Sequence, residues 1–248
     1  TRDPEALRTI SEATGVHVVM GAGHYLNEHH PLDMDERSEE QLFEELVGDV
    51  TEGADGSSIR SGIIGEIGCQ YPLHPNEEKT LRAATRASLA TGAALLIHPG
   101  RDHRAPLELM RIVIEAGGRP ERAIMSHLDR TVFEDDELVE LAKTGCYLEF
   151  DLFGQESSWY IRGAIDMPND ATRIDHLRHL IAQGFGDRLL VAQDICRKVA
   201  LCTYGGPGYG HILRNVVPMM ERKGMSAAEI DAILIDNPAR ILAMVEPS

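Results

Sequence analysis

Four residues with metal-binding side chains follow short apolar runs of this sequence. The runs are IIGEIGC, LLIHPG, IMSHLD and LLVAQDI, and the residues in question are Glu66, His98, His127 and Asp194. In parallel β/α barrels, the side chains that carry out chemistry stand at the carboxyl ends of the strands. Because the same pattern recurs four times with compatible residue types, it predicts a metal-dependent hydrolase on a parallel barrel.

The residue types themselves indicate the chemistry. Neutral imidazoles and carboxylates are common zinc ligands, and a zinc site with an open position lowers the pKa of bound water to about 7. If the site holds two metals, Glu66 is the natural bridging ligand, since a carboxylate has two oxygens. Asp194 could bind one metal and accept the proton of the nucleophile, while His98 and His127 hold the other.

Each of these residues also has a structural interpretation. A single His at a strand end usually makes a hydrogen bond, and a single Asp or Glu in a βα loop usually caps a helix. A metal-free barrel in which the four groups bond to one another is a further alternative. Their joint occurrence favours the metal, because gathering unpaired polar groups at one mouth carries a desolvation cost that a cation offsets.

The intervals between the four residues are 32, 29 and 67 positions, which fit βα units of roughly thirty residues. The longest interval requires a further strand, and Cys146–Phe150 supplies it. An earlier strand is predicted at Val16–Met20. These continuous apolar runs are typical of strands buried on both faces.

Helical patterns separate the strands. One begins at Pro106 and stops at Gly117, and Ser226 to Glu229 has the form of a capping box. Two more apolar helical repeats end before Gly145 and Gly184. Asn237-Pro238 is predicted to break the penultimate helix and start a short last one.

Length and composition indicate a single domain over residues 1–248. The chain is 43% hydrophobic and has no composition shift. It lacks an apolar stretch of about eighteen residues and a secretory leader, so we expect no membrane partner and a cytoplasmic location. Its net charge of −16 disfavours nucleic acid. The four Cys lack metal-motif spacing, which favours free thiols.

Taken together, the motifs resemble the phosphotriesterase-related proteins of the amidohydrolase superfamily. The segments that carry the resemblance are GIIGEIGC, IHPGR, IMSHLDRT, GCYLEFDLFG, DMPND, RLLVAQDI and YGGPGYGHIL, and they extend over nearly the whole chain. The resemblance implies an α/β fold, a (β/α)8 TIM-type barrel with a binuclear metal centre that usually contains zinc.

The family pattern also implies roles for individual residues. Its metal ligands on the fourth, fifth, sixth and eighth strands fall on Glu66, His98, His127 and Asp194. Bacterial phosphotriesterases have a carboxylated Lys at the fourth-strand position, whereas Glu66 provides a carboxylate directly. Tyr25 falls where related lactonases place a tyrosine that faces the substrate, and His24 beside it is a second candidate contact.

The sequence departs from the family pattern at its N-terminal end. Family members begin with a strand that carries a His-x-His pair, followed by a second strand, and this sequence has neither. We therefore expect strands three to eight of a barrel. A fragment of a longer gene is the favoured explanation over an open sheet or strands supplied by another chain, because an uncovered parallel edge promotes aggregation.

Substrate and partners are less constrained by the sequence. A small ester, lactone or N-acyl amide fits the predicted chemistry, and Arg130, Arg197 and Lys198 could bind an anionic group on it. These cations could instead pair with loop carboxylates. If they face the pocket, an N-acyl amino acid or amino sulfonic acid is favoured over a neutral phosphotriester. A homodimer is possible, and the alternative function is a non-catalytic barrel that binds a small ligand or one metal.

Overall fold

The computed structural model describes residues 2–160, 163 and 165–247, and six strands lie within these ranges. They are β1 (Gly21–Ala22), β2 (Ile63–Gly68), β3 (Ala94–His98), β4 (Ala123–Met125), β5 (Tyr147–Phe150) and β6 (Leu189–Val191). Their order in the sheet is their order in the chain. The predicted α/β fold class is confirmed, since helices alternate with parallel strands.

The helices predicted before Gly117, Gly145 and Gly184 and after Ser226 are present in the structure. The α-helices are α1 (Pro4–Thr14), α2 (Glu39–Thr51), α3 (Pro75–Thr91), α4 (Ala105–Glu115), α5 (Asp135–Ala142), α6 (Asp170–Ala182), α7 (Val217–Arg222), α8 (Ala227–Asp231) and α9 (Asn237–Leu242). Two π-helical segments, Ile212–Val216 and Ala232–Asp236, precede α7 and α9. The predicted start at Asn237 is confirmed, but a π turn leads into it where a break was expected.

The helix termini explain why the segments begin and end where they do. Ser226 and Glu229 form the predicted capping box of α8. Gly92 ends α3 in the left-handed conformation, with φ of 73°, which glycine adopts without steric cost. Pro106 lies in the first turn of α4. Backbone N–H groups in this turn have no partner within the helix, so the missing N–H of proline costs no hydrogen bond.

The predicted strand at Val16–Met20 is misplaced. The ladder of β1 begins only at Gly21, which pairs with Ile63 of β2. Val16 and Val19 are 61% and 47% exposed, and within the run only Met20, its last residue, is buried. The prediction failed because it inferred burial from residue type, while strand formation also requires a hydrogen-bonded neighbour over the same residues.

The chain contacts divide the protein into two compact units. Unit 1 comprises Thr1–Gly100, Arg104–Ile124 and Ile241–Ser248, and unit 2 comprises Arg101–His103 and Met125–Arg240. The prediction of a single domain over residues 1–248 stays a prediction.

Each unit has its own apolar interior. In unit 1, β1 pairs in parallel with β2 and β2 with β3. Its fully buried side chains include Ile64, Ile67, Leu81, Leu95 and Ile97. In unit 2, β5 and β6 are parallel. Its fully buried side chains include Leu148, Phe150, Phe153, Leu177 and Leu189. Burying one such side chain stabilises the fold by about 1.5–3 kcal/mol.

No helix within the described ranges combines the length and the apolar character needed to cross a bilayer.

Candidate functional site

Glu66 and His98 meet in unit 1. Glu66 is the fourth residue of β2, so two residues of the strand follow it, and His98 is the last residue of β3. The Oε2 atom of Glu66 lies 3.3 Å from Nδ1 of His98, and the side chains are 31% and 6% exposed. A carboxylate and an imidazole on neighbouring parallel strands thus lie together, as the sequence predicted for this pair.

Tyr25 stands against the same imidazole. Its hydroxyl oxygen lies 3.4 Å from Nδ1 and 3.3 Å from Nε2 of His98, with the ring centroids 4.7 Å apart. A side chain on Gly68 would place its Cβ 2.3 Å from the carbonyl carbon of Tyr25. A glycine is therefore required where β2 ends, and it permits the close approach of the Tyr25 backbone.

Glu77 holds the loops around Tyr25 and was not identified from the sequence. It is fully buried, and its carboxylate accepts backbone N–H bonds from Asn27 at 2.9 Å, Gln70 at 2.8 Å and His74 at 3.2 Å. Its position as the third residue of the α3 capping box was a signal that could have found it. The extra bonds to Asn27 and Gln70 depend on tertiary structure.

His24 points to a different group. Its Nε2 lies 3.4 Å from Oε1 of Glu45, and this hydrogen-bonding contact lowers the pKa of the Glu45 carboxyl against the opposing effect of burial. His24 also lines a cavity of about 470 Å³ in unit 1, together with Gly23 and Gly65. Contact with a substrate stays a prediction for both His24 and Tyr25.

His127 is held by Asp151 in unit 2. The Nδ1–H of His127 donates to Oδ1 of Asp151 at 2.8 Å, and the backbone N–H of the same residue donates to Oδ2 at 3.1 Å. Both side chains are nearly buried, 4% and 6% exposed. This arrangement fixes the tautomer and makes Nε2 the ring nitrogen that could bind a metal. Asp151 was not among the predicted residues, although it directly follows β5 and the strand-end argument applies to it.

The backbone of two predicted ligands adopts a rare conformation. His127 has φ of 53° and Asp194 has φ of 41°, and Asp55 is the other residue besides glycine with positive φ in the described ranges. A side chain in this region is strained by about 1–3 kcal/mol and persists only where the surroundings enforce it. Such positions cluster at functional sites, which supports a role for both residues.

Unit 2 also contains a network of buried charges. Arg173, fully buried, donates to Oδ2 of Asp129 at 2.7 Å and to Oδ1 of Asp170 at 2.8 Å. The second oxygen of Asp170 lies 2.6 Å from Nε2 of His211. Burial and the charge of Asp151 raise the pKa of Asp129 to about 6, and the charge of Arg173 opposes the rise. The network fixes α6 to the segment that follows β4, which carries Asp129.

The remaining predicted residues differ in their surroundings. Arg130 is 2% exposed and donates to Oγ1 of Thr131 at 3.1 Å. Asp194 lies three residues beyond β6, and its backbone carbonyl accepts from Nε2 of Gln155 at 3.2 Å. Arg197 is exposed. Binding of substrate by Arg130 and Arg197 stays a prediction.

Comparison with known proteins identifies relatives over almost the whole chain. The phosphotriesterase family model matches residues 1–242. The N-acetyltaurine hydrolase of Homo sapiens is 48% identical over 243 residues, which cover 98% of this chain and 70% of that protein.

Solved structures also resemble this chain over almost its whole length. A resiniferatoxin-binding protein from Rhodobacter sphaeroides superimposes with a TM-score of 0.94 at 33% identity, covering 100% of this chain and 69% of that one. A lactonase from Listeria monocytogenes has a TM-score of 0.87 at 26% identity, covering 99% of this chain and 78% of that one. With the family model matching all but the last residues, this chain belongs to the phosphotriesterase family.

Proposed function

We propose that this chain is a metal-dependent hydrolase of small N-acyl amides whose amine part carries an acidic group. N-acetyltaurine is the first substrate to test. Membership of a hydrolase family supports the reaction class, and the name of the human relative at 48% identity supports the substrate class. The chemistry needs a metal centre, a proton acceptor and a group that binds the anion.

The observation that carries the proposal is the contact between Glu66 and His98. Their ligand atoms lie 3.3 Å apart on adjacent parallel strands, and Glu66 remains partly exposed. Two groups that could each bind a cation thus converge where a ligand can enter. In unit 1, adjacent strands hold a partly exposed carboxylate and a buried imidazole in contact, so the two side chains form a preorganised pair.

The donor set fits a divalent metal. Glu66, His98 and His127 offer one carboxylate and two imidazoles, a combination that can hold a metal ion. His127 is already oriented by Asp151 with Nε2 directed away from that bond. Asp194 is proposed as a further ligand, since its strained backbone is of the kind found at functional sites.

We assign zinc, with two ions per centre as the proposed stoichiometry, because imidazole and carboxylate ligands suit it. When bound, the metal would polarise the scissile carbonyl and lower the pKa of water. The protein's own part is to orient its ligands and to accept a proton. Asp194 is the proposed acceptor, and Tyr25 and His24 are the proposed substrate contacts.

The experiment that tests the proposal measures metal content and amide hydrolysis on the same preparation of the chain. Elemental analysis after dialysis gives the metal per chain. Release of taurine from N-acetyltaurine is then compared with hydrolysis of a lactone and a phosphotriester. We expect bound zinc and the highest kcat/KM for the amide. Absence of metal, or a preference for the phosphotriester, would contradict the proposal.

A pair of matched variants separates metal binding from general damage. His98→Gln removes a proposed ligand, whereas His103→Gln removes an imidazole that contacts Glu137 at 2.6 Å on the surface, where it is 54% exposed. We expect loss of metal and activity in the first variant and neither in the second. Equal metal content in both would remove His98 from the site.

A second candidate function is binding of a small ligand without catalysis. The description of the Rhodobacter sphaeroides protein as resiniferatoxin-binding, at a TM-score of 0.94, favours it. Measurements on the same preparation distinguish the hydrolase from the binding protein. Saturable binding of N-acetyltaurine without release of taurine, in the presence of added zinc, would support the binding protein and contradict the hydrolase.

A further inference from the structure

The backbone of Asp194 has a conformation that an aspartate keeps only when its surroundings enforce it. Its φ of 41° lies in the left-handed region, where the Cβ atom crowds the carbonyl oxygen that follows. The residue lies three positions beyond the end of β6, outside the parallel pairing of β5 with β6. Contacts other than the strand ladder must therefore hold this backbone.

The side chain of Gln155 holds both peptide groups that flank Asp194. Its Nε2 donates to the backbone carbonyl oxygen of Gln193 at 3.1 Å and to that of Asp194 at 3.2 Å. The first carbonyl belongs to the peptide plane before the Cα atom of Asp194, and the second belongs to the plane after it. Because φ and ψ are the rotations of these two planes about Cα, one amide group restricts both angles and sets the direction of the Cα–Cβ bond.

A local turn completes the contacts of this carbonyl but does not replace Gln155. The backbone N–H of Cys196 donates to the carbonyl oxygen of Asp194 at 2.8 Å, which closes a turn between residues two positions apart. Such a turn keeps its shape even if the whole loop moves. Gln155 connects it to a segment that lies 39 residues earlier in the chain.

The backbone around Gln155 is anchored to the first turn of α6. Its carbonyl oxygen accepts from Nη2 of the fully buried Arg173 at 2.8 Å. The backbone N–H of Gly154 donates to Oδ1 of Asp170 at 2.8 Å, and the backbone N–H of Asp170 donates to Oε1 of Glu156 at 2.7 Å. Three consecutive residues thus bond to one turn of a helix, so the Gln155 amide extends from a fixed backbone.

The two acceptors show which property of Gln155 matters. Carbonyl oxygens accept and do not donate, so the NH₂ group of the amide faces them, with one N–H for each. A glutamate at this position would bring a third oxygen against the two carbonyls, and a methionine would offer them no donor. The position therefore requires a side chain that donates, and not only one of the right length.

We propose that Gln155 is a positioning residue, which fixes the backbone of Asp194 and, through it, the direction of the Asp194 carboxylate. The inference rests on the proposed function, in which Asp194 binds metal and accepts a proton. Removing a group that orients a ligand lowers metal affinity or activity by about 10–100-fold. Because the proposed substrate contacts belong to other segments of the chain, loss of the Gln155 donor should affect kcat more than KM.

Amide hydrogen exchange tests the hold on Asp194 without metal or substrate. The reporter is the N–H of Cys196, followed by NMR, since its acceptor is the carbonyl that Gln155 also contacts. In Gln155→Met we expect this N–H to exchange at least about threefold faster, the effect of about one lost hydrogen bond. The N–H of Gly154, which Asp170 accepts, should exchange at the wild-type rate. Equal Cys196 rates in the variant and the wild type would overturn the inference.

Zinc affinity and hydrolysis test the consequence for the proposed active site. We expect Gln155→Met to bind zinc about tenfold more weakly in competition with a chelating indicator. Saturated with zinc, it should lose about tenfold in kcat for N-acetyltaurine, with KM within about twofold of wild type. Gln155→Glu should be impaired at least as much, and wild-type zinc affinity and kcat in that variant would contradict the need for a donor. Gln183→Met is the matched control, because Gln183 is exposed at the end of α6, and it should change neither quantity.

The outcomes distinguish failure of this inference from failure of the proposed function. Faster Cys196 exchange in Gln155→Met, with no amide hydrolysis by the wild-type chain, would support the hold on Asp194 and contradict the hydrolase. Release of taurine by a wild-type chain whose kcat and Cys196 exchange are unchanged in Gln155→Met would contradict the positioning role and leave the hydrolase intact. A loss of kcat that only matches the unfolded fraction, measured by circular dichroism, would make Gln155 a purely structural residue and would also overturn the inference.

Discussion

Asp151 contacts His127 with both of its oxygens, one bonded to the imidazole Nδ1–H at 2.8 Å and the other to the backbone N–H at 3.1 Å. The first bond fixes the tautomer of the ring. The second holds the backbone at a φ of 53°, where residues other than glycine are uncommon. One carboxylate therefore sets both the tautomer and the direction of the His127 side chain.

Replacing Asp151 with Asn should weaken metal binding. The amide of Asn keeps the size of the side chain but removes the charge that favours the Nδ1–H tautomer, so we expect a loss of about 10–100-fold in metal affinity. Competition with a chelating indicator measures that affinity. Asp135→Asn is the matched control, because Asp135 makes an equally short 2.8 Å bond to Nδ1 of His176 at an exposed position. An equal effect of both variants would show that Asp151 does not act through His127.

The sequence predicted the elements better than the contacts between buried polar groups. The cap at Ser226 and the pairing of Glu66 with His98 follow from local signals, namely a capping box and strand ends. Asp151 obeys the same strand-end rule and could have been found by it.

The tertiary contacts of Glu77 and Arg173 could not be predicted in the same way, although the capping box could have indicated Glu77 itself. Their roles depend on which backbone N–H groups and carboxylates tertiary packing brings to them, and the sequence near each residue does not carry this information. The misplaced strand at Val16–Met20 has a related cause. An apolar run indicates burial, but only the presence of a partner over the same residues makes a strand.

Replacing Glu77 with Gln should destabilise the fold. Its buried carboxylate accepts three backbone N–H bonds, and an amide can present only one oxygen to them. Hydrogen bonds to charged groups contribute about 1.5–3 kcal/mol each, so we expect a loss of about 2–3 kcal/mol in the free energy of unfolding, measured with urea. Glu78→Gln is the control, since Glu78 pairs with Arg82 at a surface where it is 43% exposed. It should change stability by less than about 1 kcal/mol. A Glu77 variant as stable as the control would contradict this role.

Arg173→Met should destabilise the fold more strongly. It removes the cation that matches two buried carboxylates, those of Asp129 and Asp170, and such a loss costs about 3–5 kcal/mol. Arg178→Met provides the control on the same helix, because Arg178 is exposed and its bond to Asp175 is 3.4 Å long. Urea unfolding of both variants gives the comparison. Similar stabilities would mean that water or another group compensates the charge of Asp129 when Arg173 is absent.

Reaction of the thiols should reveal two classes of cysteine. Cys69 and Cys146 are free and fully buried, while Cys196 and Cys202 are free and exposed. Burial raises the pKa of Cys146 to about 11 and that of Cys69 well above its ordinary value, so neither forms the reactive thiolate at pH 8. A colorimetric disulfide reagent should therefore modify two thiols in the native chain and four in denaturant.

Because partial burial and the nearby charge of Asp194 also raise the pKa of Cys196, Cys202 should react first. Four fast thiols in the native chain would show that the interiors around β2 and β5 open readily, and rate measurements on Cys69→Ser and Cys146→Ser would identify which of the two is exposed.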